Sequence, residues 1–325
     1  MPKTRQSISD RLLVWTPVDQ GYNLIPSDPA QSLRTNFREW LLPGIFRQAV
    51  REINRTLNGR EWLTGRQLDD LRDQLIRHPA RTLLEANEEV QKLLFKAQVD
   101  VNELTGEPDP VVQLIDFAHP ERNTFHAINQ FRIDTPGCVK SFIIPDIVLF
   151  VNGIPLVIVE AKIGDPNTAN PLHEAFVQLL RYRNARKDTS AAGLREGDPR
   201  LFYSNILLIR TCSEKAEFGT ITSGHEHFHA WKDIWPESRR GFTPPLGTVR
   251  EQEILIQGLL SPDTLLEVLR TCTVFMETDS GKRVKVAAAT SNSVLPARFS
   301  NACARAKLPR NVLVSSGTPK VPASR

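Results

Sequence analysis

No stretch of this 325-residue chain approaches 18 consecutive apolar residues, so none reads as a membrane-spanning helix. The opening residues, MPKTRQSISDRLL, lack the apolar core of a signal peptide. Cysteine is scarce. Cys138, Cys212, Cys272 and Cys303 stand far apart with no CxxC pair, which argues against a zinc ribbon and against a disulfide framework. These absences point to a cytoplasmic protein with no membrane partner. Acid is missing from one region only: Ser280 to Arg325 carries nine Lys/Arg and not one Asp or Glu. The preceding 279 residues hold 32 basic against 37 acidic side chains, a net of −5. The positive balance of the whole chain therefore belongs to its tail and does not mark a nucleic-acid-binding face on the body.

What is present reads as helices followed by a sheet. Residues 32–104 carry helical patterning. In TNFREWLLPGIFRQAVREINRTL, Phe37, Leu41, Ile45, Val50 and Ile53 fall near one face, and Pro43 is expected to end or kink that helix. Further helices are predicted over 64–78 and 82–97, the second with Leu83, Leu84, Val90, Leu93 and Leu94 as its apolar stripe. Strands are predicted over 111–117 and 125–133, then a hairpin, and later over 205–210 and 273–277. Asn170-Pro171 supplies an N-cap and a proline at the first helical position, opening a helix that carries Leu172, Ala175, Phe176, Leu179 and Leu180. Another helix is predicted over 262–270. From residue 289 onward neither period survives, and the stretch reads as a disordered tail or as translation in a shifted frame.

The hairpin carries the chemistry. In IIPDIVLFVNGIPLVIVEAK, Asn152-Gly153 joins two arms that are nearly continuous in apolar residues, as strands covered on both faces are. Charges there are costly to bury unless paired or bound to metal. Glu160 and Lys162 are two apart and share a strand face; Asp146 sits at the mouth of the preceding strand. A lone Glu-x-Lys is more often a solvated strand end with its own ion pair. An Asp fourteen residues earlier, across a hairpin, favours a site instead. Two carboxylates and the Ala161 carbonyl suit Mg²⁺, which takes oxygen ligands and keeps much of its hydration. Lys162 would orient or deprotonate the attacking water, so the chemistry implied is phosphodiester hydrolysis. Geometry sets a condition. A strict two-residue turn pairs residues whose numbers sum to 305 and puts Asp146 and Glu160 on opposite faces. One extra residue raises the sum to 306 and sets them face to face, so a bulged or three-residue connection is predicted around 151–154.

Pro145-Asp146 followed by Glu160-Ala161-Lys162 resembles the PD-(D/E)xK motif of restriction-endonuclease-like nucleases, with Ala where Leu is usual. Gln178 and Tyr182, one turn apart on the next helix, resemble the QxxxY element of the RecB-like branch. VQLIDFAHPERNTFHAINQF, PDIVLFVNGIPLVIVEAK, HEAFVQLLRYRNA and FGTITSGHEHFHAWKDIWP are similar to the N-terminal part of the restriction (R) subunit of type I restriction enzymes. The resemblance implies an α/β fold, a restriction-endonuclease-like mixed β-sheet flanked by helices, behind a helical N-terminal section. It also implies an arm over 1–30, a nuclease domain over 31–288 and the tail over 289–325. Asp146, Glu160 and Ala161 would hold Mg²⁺, with Lys162, Gln178 and Tyr182 completing the catalytic set. The expected partners are double-stranded DNA and the methyltransferase and specificity subunits of a type I complex.

The family's R subunit continues into an ATP-driven motor, which needs a GxxxxGK[ST] phosphate loop. Ser280-Gly281-Lys282-Arg283 is not one, so ATP is expected only of the full-length family and the chain reads as truncated before the motor. A non-cleaving remnant that docks on the other subunits, and an autonomous repair or defence nuclease, stay open beside the restriction reading. His225, His227 and His229 alternate as zinc ligands on a strand would, but the resemblance puts them in a loop. Trp231 and Trp235 read as packing rather than as base-stacking residues.

Overall fold

The computed structural model describes residues 21–27, 33–78, 82–162, 169–212, 215–232, 234 and 251–287. All of them lie in one unit, Met1–Ala287. The tail, most of the N-terminal arm and Trp235 fall outside the described residues.

Six strands form one mixed sheet: β1 (Tyr22–Ile25), β2 (Phe125–Asn129), β3 (Ile147–Val151), β4 (Ile154–Lys162), β5 (Leu207–Cys212) and β6 (Lys215–Gly219). Their spatial order is their order in the chain. β1 runs parallel to β2, and β4 parallel to β5; every other pairing is antiparallel. A parallel step needs a crossover. The helices α1 (Pro43–Ile53), α2 (Gly65–Ile76) and α3 (Leu83–Phe95) lie within the first, and α4 (Pro171–Tyr182) makes the second. β1 itself was not visible in the sequence, being four residues long with two of them exposed.

Pro43 does not end a helix; it starts one. Residues 35–42 are turns or irregular, and Pro43 stands at the first helical position, where no intrahelical N–H is needed. Thr64 and Thr82 open α2 and α3 through capping boxes with Gln67 and Glu85. On α3 the buried set is Ala86, Asn87, Val90, Gln91 and Leu94, so two polar residues replace Leu83, Leu84 and Leu93 of the expected stripe. Asn87 is used: its amide donates to the carbonyls of Phe202, Tyr203 and Asn205, each at 2.9 Å.

The predicted strand over 111–117 shrinks to Val111–Val112, because Asp116 turns the chain by accepting the N–H groups of Ala118 and His119. The strand predicted over 125–133 ends at Asn129. Helical turns over Glu251–Ile254 and Leu255–Leu259 went unread in the sequence. They lie against the face of the sheet that carries Ile147, Leu149, Val159 and Ile209. The segment Pro262–Glu267 is helical as expected, and β7 (Thr273–Glu277) pairs with β8 (Arg283–Ala287) in a separate ribbon.

The central hairpin behaves as its sequence promised, with one displacement. All of β3 and all of β4 except Lys162 are buried. Asn152 and Gly153 both have positive φ, 51° and 76°, as the tight I′ connection requires. A Cβ on Gly153 would lie 2.7 Å from the Leu42 carbonyl oxygen, so glycine is also needed for the close approach of α1. The connection is therefore a strict two-residue turn, contrary to expectation: Val151 faces Ile154 and Phe150 faces Pro155. The extra residue lies one step further along. Leu149 faces Val157, which leaves Leu156 bulged, and the pairs from there on sum to 306. Beside a strict two-residue turn the Phe150–Pro155 pair is a non-hydrogen-bonded one, so the missing N–H of Pro155 is tolerated there. The bulge is held from the other side, where Ile206 N–H donates to the Leu156 carbonyl at 2.7 Å and Ser204 Oγ to the Pro155 carbonyl at 2.6 Å.

Candidate active site

Ile147 faces Val159 across the β3–β4 ladder, so the next position outward sets Asp146 against Glu160. The side chain of Asp146 does reach β4, because the Ala161 N–H donates to its Oδ2 at 2.9 Å. Its Oδ1 accepts from Gln130 Nε2 at 3.0 Å. Both carboxylates are out of solvent, Asp146 at 1 % exposure and Glu160 at 0 %. Lys162 projects from the same face of β4, its side chain 16 % exposed, and its Nζ forms an ion pair with Glu160 Oε1. Desolvating a carboxylate costs several kcal/mol even after relaxation. The nine buried aliphatic side chains of the two arms each contribute about 1.5–3 kcal/mol, enough to carry that cost.

The helix pair acts on the same corner from above. Asn170 caps α4 by accepting the His173 N–H at 3.0 Å, and Pro171 opens the first turn. One turn apart on that helix, Gln178 Nε2 donates to Tyr182 Oη at 2.9 Å. Tyr182 Oη in turn donates to the Ile144 carbonyl at 2.7 Å. Ile144 lies two residues before Asp146, so the Gln178–Tyr182 pair fixes the path by which the chain enters β3. The structure thus brings Asp146, Glu160, Ala161 and Lys162 together directly and connects Gln178 and Tyr182 to them through one backbone carbonyl.

Two neighbours were not read from the sequence. Gln130 directly follows β2 with φ 49°, a left-handed conformation uncommon for a residue with a long side chain, and nothing in local spacing signals it. Arg210 stands opposite Glu160 in the parallel β4–β5 register. Its guanidinium turns the other way, donating to Glu217 Oε2 at 2.8 Å and to the His225 carbonyl at 3.0 Å, over the Phe228 ring. The site face therefore carries a row of polar side chains crossing four strands: Gln130, Asp146, Glu160 and Arg210.

The alternating histidines are not aligned by a strand. His225–His227 form a 3₁₀ turn, and His229 exchanges backbone hydrogen bonds with Phe218. The His225 ring packs on His173, centroids 4.9 Å apart. Burial, Arg210 and His173 all push its pKa down, which favours neutral imidazole. Among the described residues no three His, Cys, Asp or Glu side chains gather into a metal-binding group. Trp231 packs edge-on against Phe218 at 5.7 Å, as a core residue does.

Comparison with known proteins gives this geometry a family. Residues 5–230 match the family described as type I restriction enzyme R protein N terminus. The type I restriction enzyme HindI endonuclease subunit of Haemophilus influenzae is 29% identical over 248 residues, covering 75% of this chain and 21% of that protein. A subunit of Methanocaldococcus jannaschii, provisionally named the type I restriction enzyme MjaIXP endonuclease subunit, is 24% identical over 216 residues, covering 63% of this chain and 18% of that protein. The chain thus spans about a fifth of the length of these relatives. Its fold, and the match over more than two thirds of its length, place it among the type I restriction enzyme R proteins, in the family of their N-terminal region.

Proposed function

We propose that this chain is the DNA-cleaving part of a type I restriction system, a Mg²⁺-dependent endonuclease that hydrolyses phosphodiester bonds of double-stranded DNA. One observation carries the reading: the bulge at Leu156 shifts the register so that Asp146 and Glu160 stand opposite one another. Without that shift their side chains would occupy opposite faces of a sheet covered on both sides, and neither would have a reason to be charged.

The donor set fits the ion. Two carboxylates and the Ala161 carbonyl are hard oxygen ligands, the kind Mg²⁺ takes while keeping several waters. When bound, the ion supplies Lewis acidity at the scissile phosphate and lowers the pKa of its water. The chain's own groups do the rest. Lys162 Nζ is tied to Glu160 in this structure and stands at the open end of β4. Released by a competing cation, it is placed to orient the attacking water and to stabilise the charge that grows on the phosphate oxygens. Water attacks phosphorus and gives up a proton to solvent, the bond from phosphorus to one sugar oxygen breaks, and the leaving oxygen takes a proton from solvent. Gln178 and Tyr182 keep the entry to β3 rigid while this happens. By family membership, the modification and specificity subunits would bring the chain to its DNA.

The test is nicking of supercoiled plasmid by the chain together with its partner subunits, with Mg²⁺ and with chelator. Asp146→Ala and Lys162→Ala are each expected to lower the Mg²⁺-dependent rate by roughly 100-fold or more while leaving the circular dichroism spectrum unchanged. Equal rates for wild type and Asp146→Ala would remove the assignment.

A further inference from the structure

Gln130 has been described only as a neighbour of Asp146, yet its backbone sets it apart. Four non-glycine residues among those described have positive φ: Asp109, Gln130, Asn152 and Asn184. Asp and Asn tolerate that region because a short polar side chain can bond its own backbone; Gln has no such compensation. A strained residue persists where its surroundings over-determine it, and such residues cluster at functional sites.

Asp146 grips Gln130 at two points, backbone and side chain. Its N–H donates to the Asp146 carbonyl at 2.8 Å, and its side-chain Nε2 donates to Asp146 Oδ1 at 3.0 Å. The next link reinforces the first, with the Phe131 N–H donating to the Pro145 carbonyl at 3.1 Å. Gln130 also stands in the cross-strand position facing Asp146, since Asn129 faces Ile147 in the β2–β3 ladder. Asp146 is thus flanked by Gln130 on one side and by Glu160 on the other.

Two contacts on the Asp146 carboxylate are of one kind. Oδ1 takes an amide of Gln130 and Oδ2 the amide of Ala161, and both donors are neutral. Neutral donors fix the plane and the tilt of a carboxylate without cancelling its charge. Glu160 also has the Lys162 ammonium as an ion-pair partner. An oriented carboxylate oxygen is what a divalent cation requires of its ligand, and outer hydrogen bonds of this sort commonly tune metal affinity.

We infer that Gln130 is a positioning residue for the divalent metal: its amide holds the Asp146 carboxylate in ligating orientation, at the expense of left-handed backbone. The inference rests on the reading of Asp146 as a metal ligand.

The two costs can be separated by substitution. Gln130→Gly removes the amide and relieves the backbone at the same time, because glycine adopts positive φ freely. Gln130→Asn keeps an amide and tolerates the same φ, but is one methylene too short to reach. The full chain would be titrated with Mn²⁺ in a calorimeter, and its unfolding midpoint would be read separately in chelator. Both variants are expected to keep or raise the midpoint and to lose Mn²⁺ affinity by roughly 10- to 100-fold. Affinity within twofold of wild type in both variants overturns the inference. So does a midpoint that falls in both variants, which would make Gln130 a structural residue. Asp146→Ala serves as the reference. If it abolishes binding while Gln130→Gly and Gln130→Asn bind like wild type, Gln130 is excluded and the metal site stands. Absence of Mn²⁺ binding by wild type would overturn both.

Discussion

Lys162 and Lys285 are both largely withdrawn from solvent, and they are treated in opposite ways. Lys162 stands at the end of β4, 16 % exposed, paired with the carboxylate of Glu160. Lys285, on β8, is fully enclosed, and its Nζ donates to Asn87 Oδ1 at 2.8 Å and to the Asn205 carbonyl at 2.9 Å. Neither of those acceptors is charged, and burial pulls the Lys285 pKa down to about 7. At the candidate active site, charge is preserved by pairing and by partial access to water. In the scaffold, a lysine serves as a hydrogen-bond donor that joins the β7–β8 ribbon to α3 and to the start of β5, and its charge is a burden. One lysine is paired with a carboxylate and partly exposed; the other is enclosed among neutral acceptors.

The largest expected effect tests the scaffold side. The folded pKa of Lys285 lies below that of an unfolded lysine, about 10.4, so between roughly pH 7 and 10.4 the unfolded chain binds a proton that the folded chain does not. Stability should therefore rise with pH through that window, by on the order of 4 kcal/mol if the whole shift is realised. Other groups titrate there too, so the contrast with Lys285→Met isolates the term. Urea unfolding at pH 7 and at pH 9.5 should give a clearly smaller difference for the variant. Equal slopes would mean that Lys285 is charged where it lies, and the contrast with Lys162 would collapse.

An intermediate effect compares the partners of the two lysines. Asn87→Ala removes one acceptor of Lys285 Nζ and the side-chain donor to three carbonyls of 202–205, and should cost about 2–4 kcal/mol in chemical denaturation. Glu160→Gln removes a buried charge while leaving Lys162 an acceptor and a path to solvent, so the loss should be the smaller of the two, about 1 kcal/mol. Similar losses for the two would show that Lys162 is as much a scaffold residue as Lys285.

The smallest effect concerns the helix that overlooks the site. Tyr182→Phe removes the bond to the Ile144 carbonyl and the acceptor for Gln178, and should cost about 1 kcal/mol. Cleavage should fall by more than that stability loss explains, since the entry to β3 carries Asp146. A variant that loses stability but cleaves at the wild-type rate would confine Tyr182 to construction.

Much of the site was legible in the primary structure. Asn152-Gly153 announced the hairpin, Asn170-Pro171 the start of α4, and the i, i+4 spacing of Gln178 and Tyr182 their mutual contact. These are local signals, set by backbone preferences of a few residues. The location of the bulge was not legible, because it depends on where Ile206 and Ser204 meet β4 from about fifty residues away. Pro43 misled for a related reason: the same residue stops a helix or starts one, according to where the helix begins. That point is tied to the hairpin through the Leu42 N–H on the Gly153 carbonyl at 3.0 Å. Gln130, Arg210 and the Asn87–Lys285 contact escaped for want of any periodic signal, each being defined by a partner on another strand or helix.

By itself, the sequence determined the central hairpin and the helix that follows it, that the two hairpin strands are covered on both faces, and which charged side chains interrupt them. Alternation, turn chemistry and composition act over short distances and are written in the order of residues. Only the tertiary structure decided that Asp146 and Glu160 share a face. Side chains alternate with a period of two, so a single bulged residue reverses the parity of everything beyond it. That one residue, Leu156, is held out of register by hydrogen bonds from Ile206 and Asn205 at the start of the neighbouring strand.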